Sequence, residues 1–435
     1  MSANRTLNRS FVAARIAALG AVVPLITLAL ASSSSADVIF SGLGDLPGGA
    51  DSSEAWGVSN VGFAAGRSSS SNGSEAFRYN GVLTGLGDLP APGFFSFSYA
   101  ISGDGSTVVG FGDGFVGGSQ QAFRWTPAGG MVGLGYLPGS SSSSVARGVS
   151  NNGGVVVGYS TSANSGPSNY EAFRWTAAGG MVGLGDLPGG GVFESKAYAC
   201  SADGSVVVGY GWGTALALGK EAFRWSAGTG MVPLGALAGG GKSEAYGVSD
   251  NGAVVVGLSN SAAGAQAFRW TLGGGMVGLG DLAGGAFNSQ AWDTNDDGSV
   301  VVGRGRNAAG DAAFIWTPAT GIRDLKNELM MQGNFLVAGW TLREATGVSA
   351  DGKSIVGWGV DPAGKTRGWM ILNFGDGVDL SPPGDMNGDF LVNAADLGLF
   401  LAAWGFCGAP GCPGDFNGDG FVNGNDLGML LNNWA

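Results

Sequence analysis

From Asp37 to about Asn373 one pattern of apolar and polar positions recurs seven times. Its clearest copy has four blocks. The first is Glu244-Ala245-Tyr246-Gly247-Val248-Ser249, followed by the turn Asp250-Asn251-Gly252. Then come Val254-Val255-Val256-Gly257, Ala267-Phe268-Arg269-Trp270 and Gly275-Met276-Val277-Gly278-Leu279-Gly280-Asp281-Leu282. Each block predicts a strand. In Phe-Arg-Trp the aromatics at i and i+2 share one face and Arg takes the other. The valine run does not alternate, as expected of a strand covered on both faces. Asp-Gly and Asn-Gly pairs supply the positive-φ residues of tight hairpin turns.

The aromatic block returns at Phe77, Phe123, Phe173, Phe223, Phe268 and Phe314, with Trp369 in the seventh copy, at spacings of 46, 50, 50, 45, 46 and 55 residues. Four short antiparallel strands in roughly 40–50 residues is the period of a propeller blade. The chain enters on the fourth block alone, Gly42-Leu43-Gly44-Asp45-Leu46, and leaves after the third, Arg367-Gly368-Trp369-Met370-Ile371. The pattern predicts a mainly β protein: a seven-bladed β-propeller over 37–373, closed by the N-terminal strand. An open β-solenoid is the rival, and it gives no reason for the permuted ends.

After Asn373 the pattern changes. Residues 374–383 read as a linker stiffened by Pro382-Pro383. Over 384–435 two helix-period stripes appear: Leu397, Phe400, Leu401 and Trp404, then Leu427, Leu430, Leu431 and Trp434. Each follows a twelve-residue loop, 385–396 or 415–426, with oxygen side chains at positions 1, 3, 5, 9 and 12. That spacing wraps a chain around one hard cation, with the carbonyl of position 7 as a further ligand. The predicted Ca²⁺ ligands are Asp385, Asn387, Asp389, Leu391, Asn393 and Asp396 in the first loop. In the second they are Asp415, Asn417, Asp419, Phe421, Asn423 and Asp426. Phe390 replaces the turn glycine at position 6, which marks the first site as the weaker.

Composition narrows the function. Arg5, Arg9 and Arg15 precede the apolar stretch 16–31, and Ser34-Ser35-Ala36 suits cleavage, so 1–36 reads as an export signal. Sixteen residues interrupted by Pro24 are short for a membrane anchor. No later stretch is long and apolar enough to cross a bilayer. Without the leader, 18 basic residues face 33 acidic ones, a balance of −15 that repels nucleic acid and anionic lipid. Histidine is absent, which excludes Ser-His-Asp and Cys-His catalysis and imidazole metal sites. Cys407 and Cys412 flank a four-residue loop, and in an exported protein they are expected to form a disulfide. Cys200 reads as a small buried side chain. The 85 glycines have no Gly-X-Y period and fit turn-dense β structure.

The Ala-Phe pairs of the third block resemble the HAF repeat family of exported bacterial proteins, with Glu75, Gln121, Glu171, Glu221, Gln266, Ala312 and Arg367 at the histidine position. The resemblance implies an extracellular repeat protein. Within the repeats, Arg78, Arg124, Arg174, Arg224 and Arg269 read either as a guanidinium rim for anionic sugars or as packing between blades. Glu54, Glu171, Glu221 and Glu244 are candidates for a glycosidase carboxylate pair, with Asp296-Asp297 as an exceptional acidic turn. No blade gains an unusual acid cluster, so no catalytic residue is assigned. The serine runs 68–71 and 140–144 read as solvated loops.

The tandem loop-helix units resemble a type I dockerin module, and the bridged linker resembles its Gly-Cys variant. The resemblance implies attachment to a cohesin-like or cell-surface partner, often in polysaccharide-degrading systems. Ala394-Ala395 and Gly424-Asn425, at the partner-contacting positions, depart from the usual hydroxyl pairs. The function expected is that of an exported, non-catalytic binding and display protein whose propeller takes a glycan or a protein. The alternatives are a glycoside hydrolase or lyase and a structural envelope component.

Overall fold

The computed structural model describes residues 38–375, except 115–118, 141, 214–218 and 333, and then residues 392, 394–406, 414 and 421–432. The predicted export signal and the Cys407–Cys412 bridge lie outside the described residues.

The repeats form four-stranded antiparallel sheets, each in chain order. The fifth runs Ser243–Val248, Val254–Ser261, Gly264–Thr271 and Gly275–Gly280. Five such sheets stand separately, and two more are joined by one parallel bridge between Ser52 and Thr366. One of the joined pair is completed by Ile39–Gly42, which pairs with Thr366–Leu372 from Ile39 opposite Leu372 to Gly42 opposite Trp369. The closing strand is therefore Ile-Phe-Ser-Gly, and Leu43-Gly44-Asp45-Leu46 is the loop after it. In the copies that carry Asp88, Asp186 and Asp281, the aspartate of Leu-Gly-Asp-Leu folds the chain back after the strand, which in the fifth sheet runs on to Gly280. Asp281 accepts the amides of Leu282 (2.8 Å) and Asn288 (2.6 Å), and Asp186 those of Leu187 and Glu194 (2.8 Å each). The reverse holds for the serine run 68–71, predicted as loop: Ser68–Ser70 end the strand Ala64–Ser70, where Ser68 is buried and its Oγ accepts the amide of Leu46.

Such sheets are the unit of propeller blades. Their inner strands are Gly48–Val58, Ser96–Ile101, Ser144–Val149, Ser195–Cys200, Ser243–Val248, Gln290–Thr294 and Thr341–Val348. Each touches the next, and the last touches the first. The core lies between sheets: Val206, Val208 and Leu234 of one pack on Val255 and Phe268 of the next. Two polar ties repeat beside it. The amides of Ala76, Ala122, Ala172, Ala222 and Ala267 donate to a buried serine on, or for Ser289 just before, the next inner strand at 2.9–3.0 Å, and Gly368 does the same to Ser53 at 3.1 Å. The recurring arginines supply the second tie. Nε of Arg78, Arg124, Arg174, Arg224 and Arg269 donates to the carbonyl of Gly105, Gly153, Gly204, Gly252 and Gly298 in the next sheet's turn, at 2.9–3.2 Å. The packing reading of these arginines is the one the geometry supports.

The long spacing before Trp369 holds an unforeseen helix, α1 (Leu325–Met331), capped by Asp324 and anchored by buried Leu325 and Leu329. In the C-terminal part, α2 (Ala394–Ala402) and α3 (Gly424–Asn432) share a small core of Val392, Phe400, Val422 and Leu430. The inward stripe is narrower than expected, since Leu401, Trp404 and Leu431 are about half exposed.

Candidate functional site

Every inner strand carries a β-bulge at the same place, and the first and last have a further register shift nearer their starts. Strand pairing skips one residue each time: Trp56, Tyr99, Arg147, Tyr198, Tyr246, Trp292 and Thr346. A bulged residue leaves the ladder, so its side chain is re-aimed out of the sheet. The glycine that ends each Val-Val-Val-Gly block permits the bulge. A Cβ at Gly257 would collide with the carbonyl oxygen of Glu244, and one at Gly158 with that of Val145.

Six of the bulged side chains meet in a closed circuit. Ring centres lie 5.8 Å apart for Trp56–Tyr99, 5.3 Å for Tyr198–Tyr246, 4.9 Å for Tyr246–Trp292 and 6.1 Å for Trp56–Trp292. Arg147 completes the circuit, its guanidinium carbon 3.8 Å from the centre of Tyr99 and 5.0 Å from that of Tyr198. The residue after each bulge is Gly57, Ala100, Gly148, Ala199, Asp293 or Gly347 in those sheets, and Gly247 in the fifth. In six of the seven sheets it is Gly or Ala, and neighbouring backbones come close there: a Cβ at Gly247 would lie 3.0 Å from Cα of Asp293.

These side chains cover a cavity of about 170 Å³. Its wall includes Val58, Ile101, Val149, Cys200, Val248, Thr294 and Val348, and its far rim includes Asn60, Asn151, Asp250 and Ala350. The rim is laced from sheet to sheet. Amides of Asn60, Asp104, Asn151, Ala202 and Asp296 donate to the carbonyls of Gly103, Asn151, Ala202, Asp250 and Ala350, and the amide of Ala350 donates to Oδ1 of Asn60. No such bond joins Asp250 to Asp296 among the described residues, where two acids adjoin.

Asp293 is the one acid at the small-residue position. Its carboxylate accepts the amides of Thr294 (2.9 Å) and, across the sheet boundary, Val348 (3.0 Å). Burial nevertheless pushes its carboxyl up to about 7, with the charge of Asp250 adding to the rise. Asp250 is raised as well, by burial first, while Nδ2 of Asn151 at 2.8 Å holds it down in part. Burial pushes the Cys200 thiol up to about 12, so this wall cysteine stays protonated.

The acids singled out from the sequence do not form a catalytic pair. Glu54 pairs with Arg67 (2.7 Å) and Glu244 with Lys242 (2.8 Å). Glu171 accepts the amide of Gly185, and Asp297 that of Ser299 in its turn. Asp296 lies beside the cavity rim. Of the predicted Ca²⁺ ligands, Asp385, Asn387, Asp389, Leu391, Asn393, Asp415, Asn417 and Asp419 lie outside the described residues. Asp396 and Asp426 are fully buried in the first turns of α2 and α3, and the amide of Asn423 donates to Oδ2 of Asp426 at 3.0 Å. The donor set fits a hard cation. Residues 384–435 contain six Asp and no Lys, Arg or His, a composition that suits such an ion.

The bulged residues were not singled out from the sequence. Their signal was present: one column of the repeat reads Trp, Tyr, Arg, Tyr, Tyr, Trp, Thr between small neighbours.

No protein-family model matches the chain, and no curated protein does. Solved neighbours include TolB from Acinetobacter baumannii, 12% identical, with 61% of each chain covered and a TM-score of 0.41. A putative TolB from Agrobacterium tumefaciens is 13% identical over 67% of this chain and 93% of that one, at 0.39. A puromycin hydrolase mutant complexed with PGG is 15% identical over 74% and 54%, at 0.46. The chain thus spans about three fifths of the first of these structures.

Proposed function

We propose that the protein is an exported, non-catalytic binding protein. In this reading residues 37–373 form a seven-bladed propeller of HAF-like repeats that holds a small ligand, from a glycan or a protein, in its central cavity. A dockerin-like tail folded by two Ca²⁺ ions attaches it to a cohesin-like or cell-surface partner. The observation that carries the binding role is the circuit of bulged side chains. Seven sheets contribute the same position, six of them a large side chain, to one cavity. Large rings fixed by backbone geometry offer contact area at little entropic cost. For the tail, the support is the loop spacing together with the burial of Asp396 and Asp426.

One observation favours the enzyme alternative: two carboxyls with raised pKa values, Asp250 and Asp293, border the cavity. Both oxygens of Asp293 already accept backbone amides, which leaves it poorly placed to take a substrate proton. Incubation of the purified protein with a polysaccharide panel tests both readings. The expected result is retention on one or more polymers without release of reducing or unsaturated ends. Turnover that Asp293→Asn or Asp250→Asn abolishes would replace the binding reading with the enzymatic one.

A further inference from the structure

Arg147 breaks the aromatic column of the repeat, and its position gives it a task. Contacts with Tyr99 and Tyr198 stabilise the guanidinium as a cation but satisfy none of its five N–H donors. Among the described residues no carboxylate, carbonyl or hydroxyl accepts from it, whereas Arg67, Arg304, Arg323 and Arg367 each pair with an acid at 2.6–3.1 Å. The acids that share its cavity are engaged elsewhere: Asp250 by Asn151, Asp293 by the amides of Thr294 and Val348. A second donor in the same circuit, the indole N–H of Trp292, is buried and also lacks an acceptor. The buried indole N–H of Trp292 thus leaves a hydrogen bond unmade, which is costly, and Arg147 is half-buried among the residues that line the cavity.

We propose that the cavity binds a small carboxylate ligand about one ring in size, with Arg147 as its anchor. This rests on the binding reading above and names the ligand class for that site. Carboxylate oxygens match the forked donors of a guanidinium in a bidentate pair. The flanking rings of Tyr99, Tyr198, Tyr246 and Trp292 offer faces for a flat or saturated ring. The volume of about 170 Å³ agrees with that size, since a cavity of ~150 Å³ takes benzene. Such a carboxylate exists in two forms, an aromatic acid or a uronic acid, and the experiment separates them.

Calorimetric titrations of the full chain would use benzoate against benzamide, and D-glucuronate against D-glucose. The expected result is that one acid binds at least about tenfold more tightly than its neutral analogue, the scale of one charge-assisted bidentate contact. In Arg147→Gln that preference falls to within about twofold, and Arg147→Lys restores part of it. The acid that wins identifies the source. Equal binding of acid and neutral analogue, or a preference that survives Arg147→Gln, overturns the anchor and leaves the binding cavity standing. Failure of all four probes to bind overturns the carboxylate proposal, and retention on the polysaccharide panel decides the binding reading separately. The wild-type comparison keeps the test decisive even where Arg147→Gln does not fold.

Discussion

Asp293 shows how one residue can bind two sheets together at an electrostatic cost. Its oxygens hold the amides of its own strand and of the next sheet, yet burial favours the protonated carboxyl. A group raised in the folded state contributes stability that is complete below its unfolded value, near 4, and is lost as pH climbs through about 7. Thermal unfolding at pH 5 and pH 8 should therefore show a steeper decline in the native chain than in Asp293→Ala. The variant is expected to be less stable by about 1–2 kcal/mol at pH 5, through two lost hydrogen bonds, and equal or better at pH 8. Parallel curves would detach Asp293 from the pH response. Glycine gives a second residue-scale contrast. Gly257→Ala drives a Cβ into the Glu244 carbonyl and should cost about 2–4 kcal/mol. Gly228→Ala, with open space around its Cβ, should stay within about 0.5 kcal/mol. Equal unfolding midpoints for the two variants would count against close backbone approach as the reason for the repeated glycine.

At the scale of elements, the strand blocks were legible because their signals are local. Valine runs without alternation became buried middle strands, and the Asp-Gly and Asn-Gly pairs became their turns. The end of the fourth block, Asp281-Leu282 in the fifth sheet, was misread as strand because the block's apolar leucines mimic alternation. Its structure follows from aspartate hydrogen bonds to amides several residues away, which no local pattern reports. The bulges were hidden for a related reason. A bulge is a mismatch between two strands, and Tyr246 within its own block reads as an ordinary strand aromatic. The cavity was hidden more deeply still, because its parts are dispersed over the whole repeat array and meet only when the inner strands close their cycle. That closure makes a further prediction. Phe40, on the N-terminal strand, packs its ring 5.3 Å from Trp340 and 6.4 Å from Trp369. Phe40→Ala is expected to cost about 3–5 kcal/mol and to lower the main cooperative unfolding transition. A loss confined to local fraying of the N-terminus, seen by hydrogen exchange, would refute a closing role for that strand.

For the whole molecule, stability should divide according to its source. The repeat array rests on apolar surface shared between successive sheets and on two sets of polar ties, serine hydroxyls and arginine guanidinium groups, neither of which uses a metal ion. Among the described residues, the C-terminal helices share Val392, Phe400, Val422 and Leu430 at full burial, a core too small to fold 50 residues unaided. If two cations hold that segment, their removal should release it while the array stays intact. Proteolysis can read this without disturbing the array, and the sequence dictates the enzyme. Residues after Arg367 contain no Lys or Arg, so trypsin is blind there, whereas Phe390, Leu401, Trp404 and Leu431 offer chymotrypsin sites. In millimolar Ca²⁺ chymotrypsin should leave a full-length mature chain. In EDTA it should trim the chain to a stable fragment ending near residue 375, seen as one mass by spectrometry. The loops should also be unequal. With Phe390 in place of the turn glycine, the first loop strains to reach the cation, so calorimetry should resolve two Ca²⁺ affinities, and Phe390→Gly should bring them together. Asp415→Ala should then expose the segment to chymotrypsin at higher Ca²⁺ than Asp385→Ala does. A segment equally resistant with and without EDTA would instead place its stability in the helices, and the calcium reading would fall while the binding cavity remained.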